Sequence, residues 1–234
     1  MTIDILRGIA ILMMFVFHFS YDLSFFGYVD INFLEEPFWA NFRRFIVSSF
    51  LLLVGISIIL ANRKKLNKQH FIRRLLLLIG YALLVTLGSY LMFPESFIYF
   101  GILHFIVVAS VLGLLFRKFY WFNLILGTAL LILDTLYSNA LFDNPAINWI
   151  GFTTQLPYTE DYVPLIPWFG VVLIGMFIGR TLFSGNTPAW LSWQASNPVT
   201  KILAFGGRHS LHIYILHQPI FIALIALVSA TGFF

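Results

Sequence analysis

Cysteine is absent from the chain, which excludes disulfides, thiolate nucleophiles and cysteine-held metal centres together. Charge is scarce too. Only 10% of the residues are Asp, Glu, Lys or Arg, against 60% hydrophobic, and that leaves too little polar surface to cover a soluble globule. There is no phosphate-cradling glycine loop, no HExxH, and no histidine spacing that suits a shared metal, so no metal is expected. Without a repeat, a low-complexity tract or a linker, residues 1–234 read as a single domain.

What is present is hydrocarbon. The mean hydropathy is +0.90, and apolar runs long enough for a bilayer core of about 30 Å lie at Ile5–Gly27, Phe38–Leu60, Phe71–Phe93, Phe97–Phe116, Tyr120–Tyr137, Leu165–Phe183 and His209–Phe233. They predict an all-α, polytopic transmembrane helix bundle of about seven spans. Ala140–Leu156 and Trp190–Phe205 are candidates for additional re-entrant or interfacial pieces. The first run lacks a basic leader and a small-residue cleavage site, so it reads as a retained helix.

Alternating seven spans with the N-terminus in the cytoplasm places "NRKKLNKQHFIRR", Arg117, Lys118, Arg180, Lys201 and Arg208 inside, and most of the acidic residues outside. That orientation obeys the positive-inside rule, with Arg43 and Arg44 as exceptions. The basic inner rim thereby accounts for a pI near 9.4 without nucleic acid. The expected location is the cell membrane.

The first run carries ionisable residues that lipid disfavours. Asp4 to Arg7 is an i, i+3 step and His18 to Asp22 an i, i+4 step. Eleven residues from Arg7 to His18 make about three turns and return to within about 20°, so all four are expected on one face. Asp4 and Arg7 also suit an interfacial ion pair. His18, about 16 Å further along the axis, has no such explanation, and ionisable groups at that depth are functional candidates. Asp22 is expected to orient one nitrogen of His18 and leave the other as a general base.

Elsewhere, His104 lies in "FGILHFIVVAS" and reads either as a packing histidine or as part of a site. In "GRHSLHIYILHQP", Ser210, Tyr214, His217 and Phe221 fall near one stripe, and Pro219 frees the carbonyl of Ile215, which makes His217 a site candidate. Asp161 and Trp168 in "LPYTEDYVPLIPWFG" stand at the outer end of a span, where a helix start and an interfacial aromatic belt are the plain structural reading.

"DILRGIAILMMFVFHFSYDL", "FLLLVGISIIL", "GILHFI", "DYVPLIPWFG" and "GRHSLHIYILHQP", in this order, resemble the heparan-alpha-glucosaminide N-acetyltransferase catalytic domain family of bacterial membrane proteins. The resemblance runs from Asp4 to Pro219. Arg7 and His18 also match the pattern of a basic residue, ten residues and a histidine in acyltransferase family 3. The resemblance implies acyl transfer from cytoplasmic acetyl-CoA, as co-substrate, to a hydroxyl or amine of an extracytoplasmic small-molecule or glycan acceptor. Joined to the reading of the polar residues above, it gives His18, Asp22, Arg7 and His217 as the expected catalytic residues and His104, Asp161, Trp168 and Tyr214 as those expected at the acceptor. Arg7, Arg74, Arg180 and Arg208 are suited to the donor's phosphates, and Arg63, Lys64, Lys65, Arg117 and Lys118 are further such cations. The expected partners are the bilayer and the acceptor, not nucleic acid, and a homodimer is compatible with such a chain. A second reading is a proton-coupled transporter with His18, Asp22, His104 and His217 as a relay; no inverted repeat of the kind many transporters use supports it.

Overall fold

The structure is a computed structural model and describes residues 1–33, 35–63, 67–184, 188, 191 and 197–231. The described residues form helices joined by loops, with no strand among them. α1 is Thr2–Phe25, α2 Pro37–Ala61, α3 Lys68–Met92, α4 Ile102–Phe116, α5 Trp121–Leu136, α6 Leu165–Phe183, α7 Pro198–Arg208 and α8 Ser210–Ala230, with short 3-10 turns at Ala140–Asp143 and Asn148–Ile150. α1, α2, α3, α6 and α8 are long and apolar enough to cross a bilayer, and α4 and α5 are shorter apolar helices. All seven expected apolar runs are therefore helices of a multi-pass membrane bundle. Large apolar side chains left exposed, such as Leu76, Leu83, Leu87 and Leu91 of α3, belong against lipid rather than water.

The run expected from Phe97 starts its helix only at Ile102. The reason is a set of hydrogen bonds that end the extended approach at Gly101. Its N–H donates to His104 Nδ1 at 3.3 Å, and the next N–H, of Ile102, donates to Asp161 Oδ2 at 2.7 Å. The 15 residues of α4 rise about 22 Å.

The chain divides into two compact units, residues 1–50 with 187–234, and residues 51–186. In the first, α1 presents two faces. Leu6, Ile9, Leu12, Val16 and Phe19 are exposed at steps of three and four, a lipid-facing seam. Ile11 and Met14 are buried with Ile46 of α2, and Phe42, Ile213 and Tyr214 pack around them. The N-terminal half of α1 meets α7 backbone to backbone. A Cβ at Gly207 would overlap the carbonyl of Asp4, and one at Gly8 the carbonyl of Leu203. α7 itself starts at Asn197, whose side chain accepts from the Thr200 N–H at 2.9 Å, with Pro198 in the first turn. Of the expected interfacial piece Trp190–Phe205, the part from Pro198 is this helix; Trp190 and residues 192–196 lie outside the described residues.

In the second unit α6 is central, with Phe169, Val172, Leu173 and Met176 buried. Gly127 of α5 and Gly170 of α6 face each other so closely that a Cβ on either would come within 2.7 Å of the other's carbonyl oxygen. A Cβ at Gly175 of α6 would overlap the carbonyl of Leu52, and one at Gly55 the carbonyl of Val172, so α6 and the C-terminal half of α2 also meet backbone to backbone. The segment Ala140–Leu156 folds over Asp143, whose carboxylate accepts from Thr154 Oγ1 at 2.5 Å and from the Thr154 N–H at 2.7 Å. These bonds, led by the Thr154 hydroxyl, hold the Asp143 carboxyl below its ordinary value of 3.8.

Two outcomes are expected. Gly207→Val should lower stability by about 1–3 kcal/mol in a detergent-denaturation assay, whereas Gly88→Ala, at an open position, should be neutral or mildly stabilising; equal losses would sink the close-approach account. For Asp143 the folded-state value is depressed, so its contribution is complete above the unfolded carboxylate value and fades as pH falls through the folded one. Exchange protection of the Thr154 and Gln155 amides should therefore drop on acidification in the wild type and lose this dependence in Asp143→Asn.

Candidate active site

The expected stripe on α1 is divided between two neighbours. At its N-terminal end Arg7 Nη1 donates to Asp4 Oδ1 at 3.2 Å and to the carbonyl of Gly207 at 3.4 Å. Arg7 is thus part of the joint between α1 and α7.

Two to three turns further on, α1 faces α8. The rings of His18 and His217 lie 4.9 Å apart, centroid to centroid, at 61°. His217 Nδ1 approaches the Tyr214 carbonyl at 2.5 Å; because a carbonyl only accepts, Nδ1 carries the proton and Nε2 is left as an acceptor. That Nε2 is buried and has no partner among the described residues. Phe15 stacks on His217 at 6.0 Å and Phe221 meets it edge-on at 5.8 Å, which fixes the ring. His18 is half-buried and makes no hydrogen bond among the described residues. Phe17 sits edge-on to it at 5.5 Å and continues into Phe33, Trp39 and Phe42.

The expected bond between Asp22 and His18 is replaced by another. Asp22 is 4% exposed, and its Oδ1 accepts from Gln218 Nε2 at 2.7 Å. The spacing of four residues puts His18 and Asp22 on one face, but their tips turn to different residues of α8. Asp22 Oδ2 and Gln218 Oε1 are both buried without a partner among the described residues. An unpartnered acceptor in a buried position costs free energy, and three of them, on His217, Asp22 and Gln218, crowd one stretch of the α1–α8 contact. A donor group of a ligand would satisfy them.

Gln218 was not among the sequence candidates. A signal was available: an amide inside an apolar helix is costly unless it bonds to another helix, and Gln218 stands one turn beyond Tyr214. Tyr214 lies with its ring 5.4 Å from that of His217 and so stands beside the pair.

The remaining candidates lie elsewhere. His104 Nδ1 accepts from Gly101, so its Nε2–H donates to Thr86 Oγ1 at 3.0 Å, which in turn donates to the Ile98 carbonyl at 2.8 Å. Both ring nitrogens are taken up in building the start of α4, as is Asp161 Oδ2 through the Ile102 N–H. Trp168 is half-buried at the start of α6, just after a cis Ile166–Pro167 bond. Among the cations, Arg74 lines a small cavity of about 40 Å³ with Phe71 and Leu78, Arg180 donates to the Lys118 carbonyl at 2.5 Å, and Arg208 is exposed in the last turn of α7. Lys64 and Lys65 lie outside the described residues. No group of three or more His, Asp or Glu suited to a metal occurs among the described residues.

A half-buried and a buried histidine side by side in a helical membrane bundle, with acceptor atoms left open beside them, agree with one further finding. The family model described as "Heparan-alpha-glucosaminide N-acetyltransferase, catalytic" matches residues 1–219. The chain belongs to that family. Neither curated proteins nor solved structures return a match. Membership in the N-acetyltransferase family makes this a membrane enzyme of the acetyltransferase type, and the matched region contains α1 and the His217–Gln218 part of α8.

The Asp22–Gln218 bond makes a specific prediction. Gln218→Leu should lower stability by about 1–3 kcal/mol, because it strands a buried carboxyl, and Asp22→Leu in the same chain should recover much of that loss. Additive losses in a double-mutant cycle of denaturation in mixed micelles would show that the two side chains do not act as a pair.

Proposed function

We propose that the protein moves an acetyl group from cytoplasmic acetyl-CoA to a hydroxyl or amine of an extracytoplasmic sugar-like acceptor, with His18 as general base. The observation that carries this reading is the half-buried, unbonded His18 ring 4.9 Å from His217, in a chain of the acetyltransferase family. The N-terminus is then cytoplasmic, the bilayer is the cell membrane, and the whole chain acts as one transmembrane domain.

In this scheme His18 takes the proton of the acceptor's O–H or N–H as that oxygen or nitrogen attacks the thioester carbonyl carbon. The tetrahedral intermediate collapses by breaking the C–S bond. Acetyl ester or amide forms, and the departing sulfur receives the proton held by His18, giving free CoA thiol. His217, with its open Nε2, hydrogen-bonds the acceptor or relays its proton, and Asp22 accepts a bond from the acceptor at its open Oδ2. Arg7 holds the α1–α7 joint; Arg7 and Arg208 in the first unit, and Arg74 and Arg180 in the second, are each cations suited to the donor's phosphates. His104, Asp161 and Trp168 stand near the outer side, where the acceptor arrives. Direct transfer needs no covalent intermediate. The relay of a proton-coupled transporter is less well supported, because it draws on His104, whose two nitrogens already bond to Gly101 and Thr86.

The test is release of free thiol from acetyl-CoA by the purified protein in nanodiscs, with a mixture of amino sugars and polyols as acceptors. Wild type should release thiol, and His18→Ala should lower the rate by about 10²–10⁴-fold, the usual contribution of a general base. Absence of thiol release from folded wild type, with acceptors present, would overturn the proposal.

A further inference from the structure

Arg43 and Arg44, near the start of α2, are the two cations that the positive-inside orientation leaves unexplained. The structure separates them. Arg44 Nη1 donates to Asn41 Oδ1 at 3.1 Å, an exposed bond within the same helix and an ordinary surface arrangement.

Arg43 is placed differently. At 100° per residue, Trp39, Arg43, Ile46 and Phe50 fall within about 60° of one another, and Arg44 lies about 100° beyond Arg43. That stripe is the face α2 turns to α1. Phe17 meets the Trp39 ring at 6.1 Å, while Ile46 is buried with Ile11 and Met14, and Phe50 packs against them. Lower numbers on α1 thus meet higher numbers on α2, and Arg43, between Trp39 and Ile46, comes level with the turn of α1 that leads up to Phe17 and His18. Its guanidinium is among the charges that act on the His18 ring. Arg43 is exposed, although the other residues of its stripe are buried or half-buried, so the contact between the two helices opens at this point.

A fixed cation near a base is by itself a handicap. Once His18 takes up a proton, two like charges stand near each other in a weakly screened place and repel. The arrangement becomes favourable when negative charge appears beside both at the moment of proton transfer. Attack on a thioester makes that charge: as the new bond to carbon forms, the second electron pair of the C=O bond moves onto oxygen, and His18 acquires the acceptor's proton.

We propose that Arg43 stabilises the oxyanion of the acyl-transfer reaction, its guanidinium donating an N–H to the thioester carbonyl oxygen as that oxygen becomes negative. The inference rests on the acyl-transfer reading, with His18 as its base. When the intermediate collapses, the electron pair returns to the C=O bond, the C–S bond breaks, the sulfur receives the proton from His18, and Arg43 is left beside a neutral carbonyl. Its strongest bond therefore exists only while the intermediate does, which lowers the barrier without tightening the ground state.

The test is thiol release by the full chain in nanodiscs, with the acetyl-CoA concentration varied and the acceptor mixture present. Arg43→Gln should lower kcat by about 10²–10³-fold, the usual cost of losing one oxyanion donor, and leave the KM for acetyl-CoA within about twofold of wild type. Arg44→Gln should be as active as wild type. Because Arg43 is exposed, its replacement should leave the melting temperature unchanged, so that a lower rate reports chemistry and not folding. Arg43→Ala should regain rate, saturably, when guanidinium is added below denaturing concentrations, and His18→Ala should not respond to it. The inference alone is overturned if wild type releases thiol and His18→Ala does not, while Arg43→Gln keeps the wild-type kcat or loses only in KM, or guanidinium restores nothing to Arg43→Ala. If folded wild type releases no thiol, or His18→Ala keeps its rate, the acyl-transfer reading itself fails and this inference falls with it.

Discussion

Inside hydrocarbon, apolar side chains gain almost nothing by leaving lipid for one another, and helices are held by close contact and by polar groups that can be satisfied only within the protein. The structure depends on that constraint. Gly207 and Gly8 bring α7 onto α1, and Gly127, Gly170, Gly175 and Gly55 bring α5, α6 and α2 together in the second unit. At each crossing a side chain has been given up for dispersion contact between backbones. The polar residues follow the same rule, since Arg7 finds a carbonyl of α7 and Gln218 finds Asp22.

The candidate site is where the rule is only partly obeyed. His217, Asp22 and Gln218 each keep one buried acceptor open, and His18 bonds to nothing described, although the neighbouring aromatic rings fix their geometry. A packed structural core would have replaced these groups by Leu and Phe at little cost. Leaving these acceptors open inside apolar helices costs stability that a purely architectural helix pair would not give up, and that is the physical ground for proposing chemistry here.

Much of the fold was legible because it follows from local quantities. A run of about twenty apolar residues is a span whatever surrounds it, and all seven runs became helices. That one unbroken helix carries both Arg7 and His18 was equally legible. What was not legible depends on which helices meet. The i, i+4 spacing put Asp22 beside His18, but whether its carboxyl turns along α1 or across to Gln218 is decided by α8, two hundred residues later. For the same reason the Asp4–Arg7 pair was legible from its i, i+3 spacing, whereas the carbonyl of Gly207 that Arg7 also reaches on α7 was not. His104 and Asp161 were singled out correctly as unusual, yet their hydrogen bonds go into starting α4 at Ile102, five residues later than hydropathy alone suggested.

The short chain of bonds through His104 has one more property. It begins at an amide that can only donate, Gly101 N–H, and ends at a carbonyl that can only accept, that of Ile98. With both ends of fixed polarity, every hydrogen in between has one allowed order, through the ring and the Thr86 hydroxyl. The imidazole is locked in a single tautomer and the hydroxyl in a single rotamer. The histidine deepest in the second unit therefore works as a keystone, matching the end of one helix to the beginning of the next, and any residue put in its place must reproduce both an acceptor and a donor at opposite ends of one rigid plate.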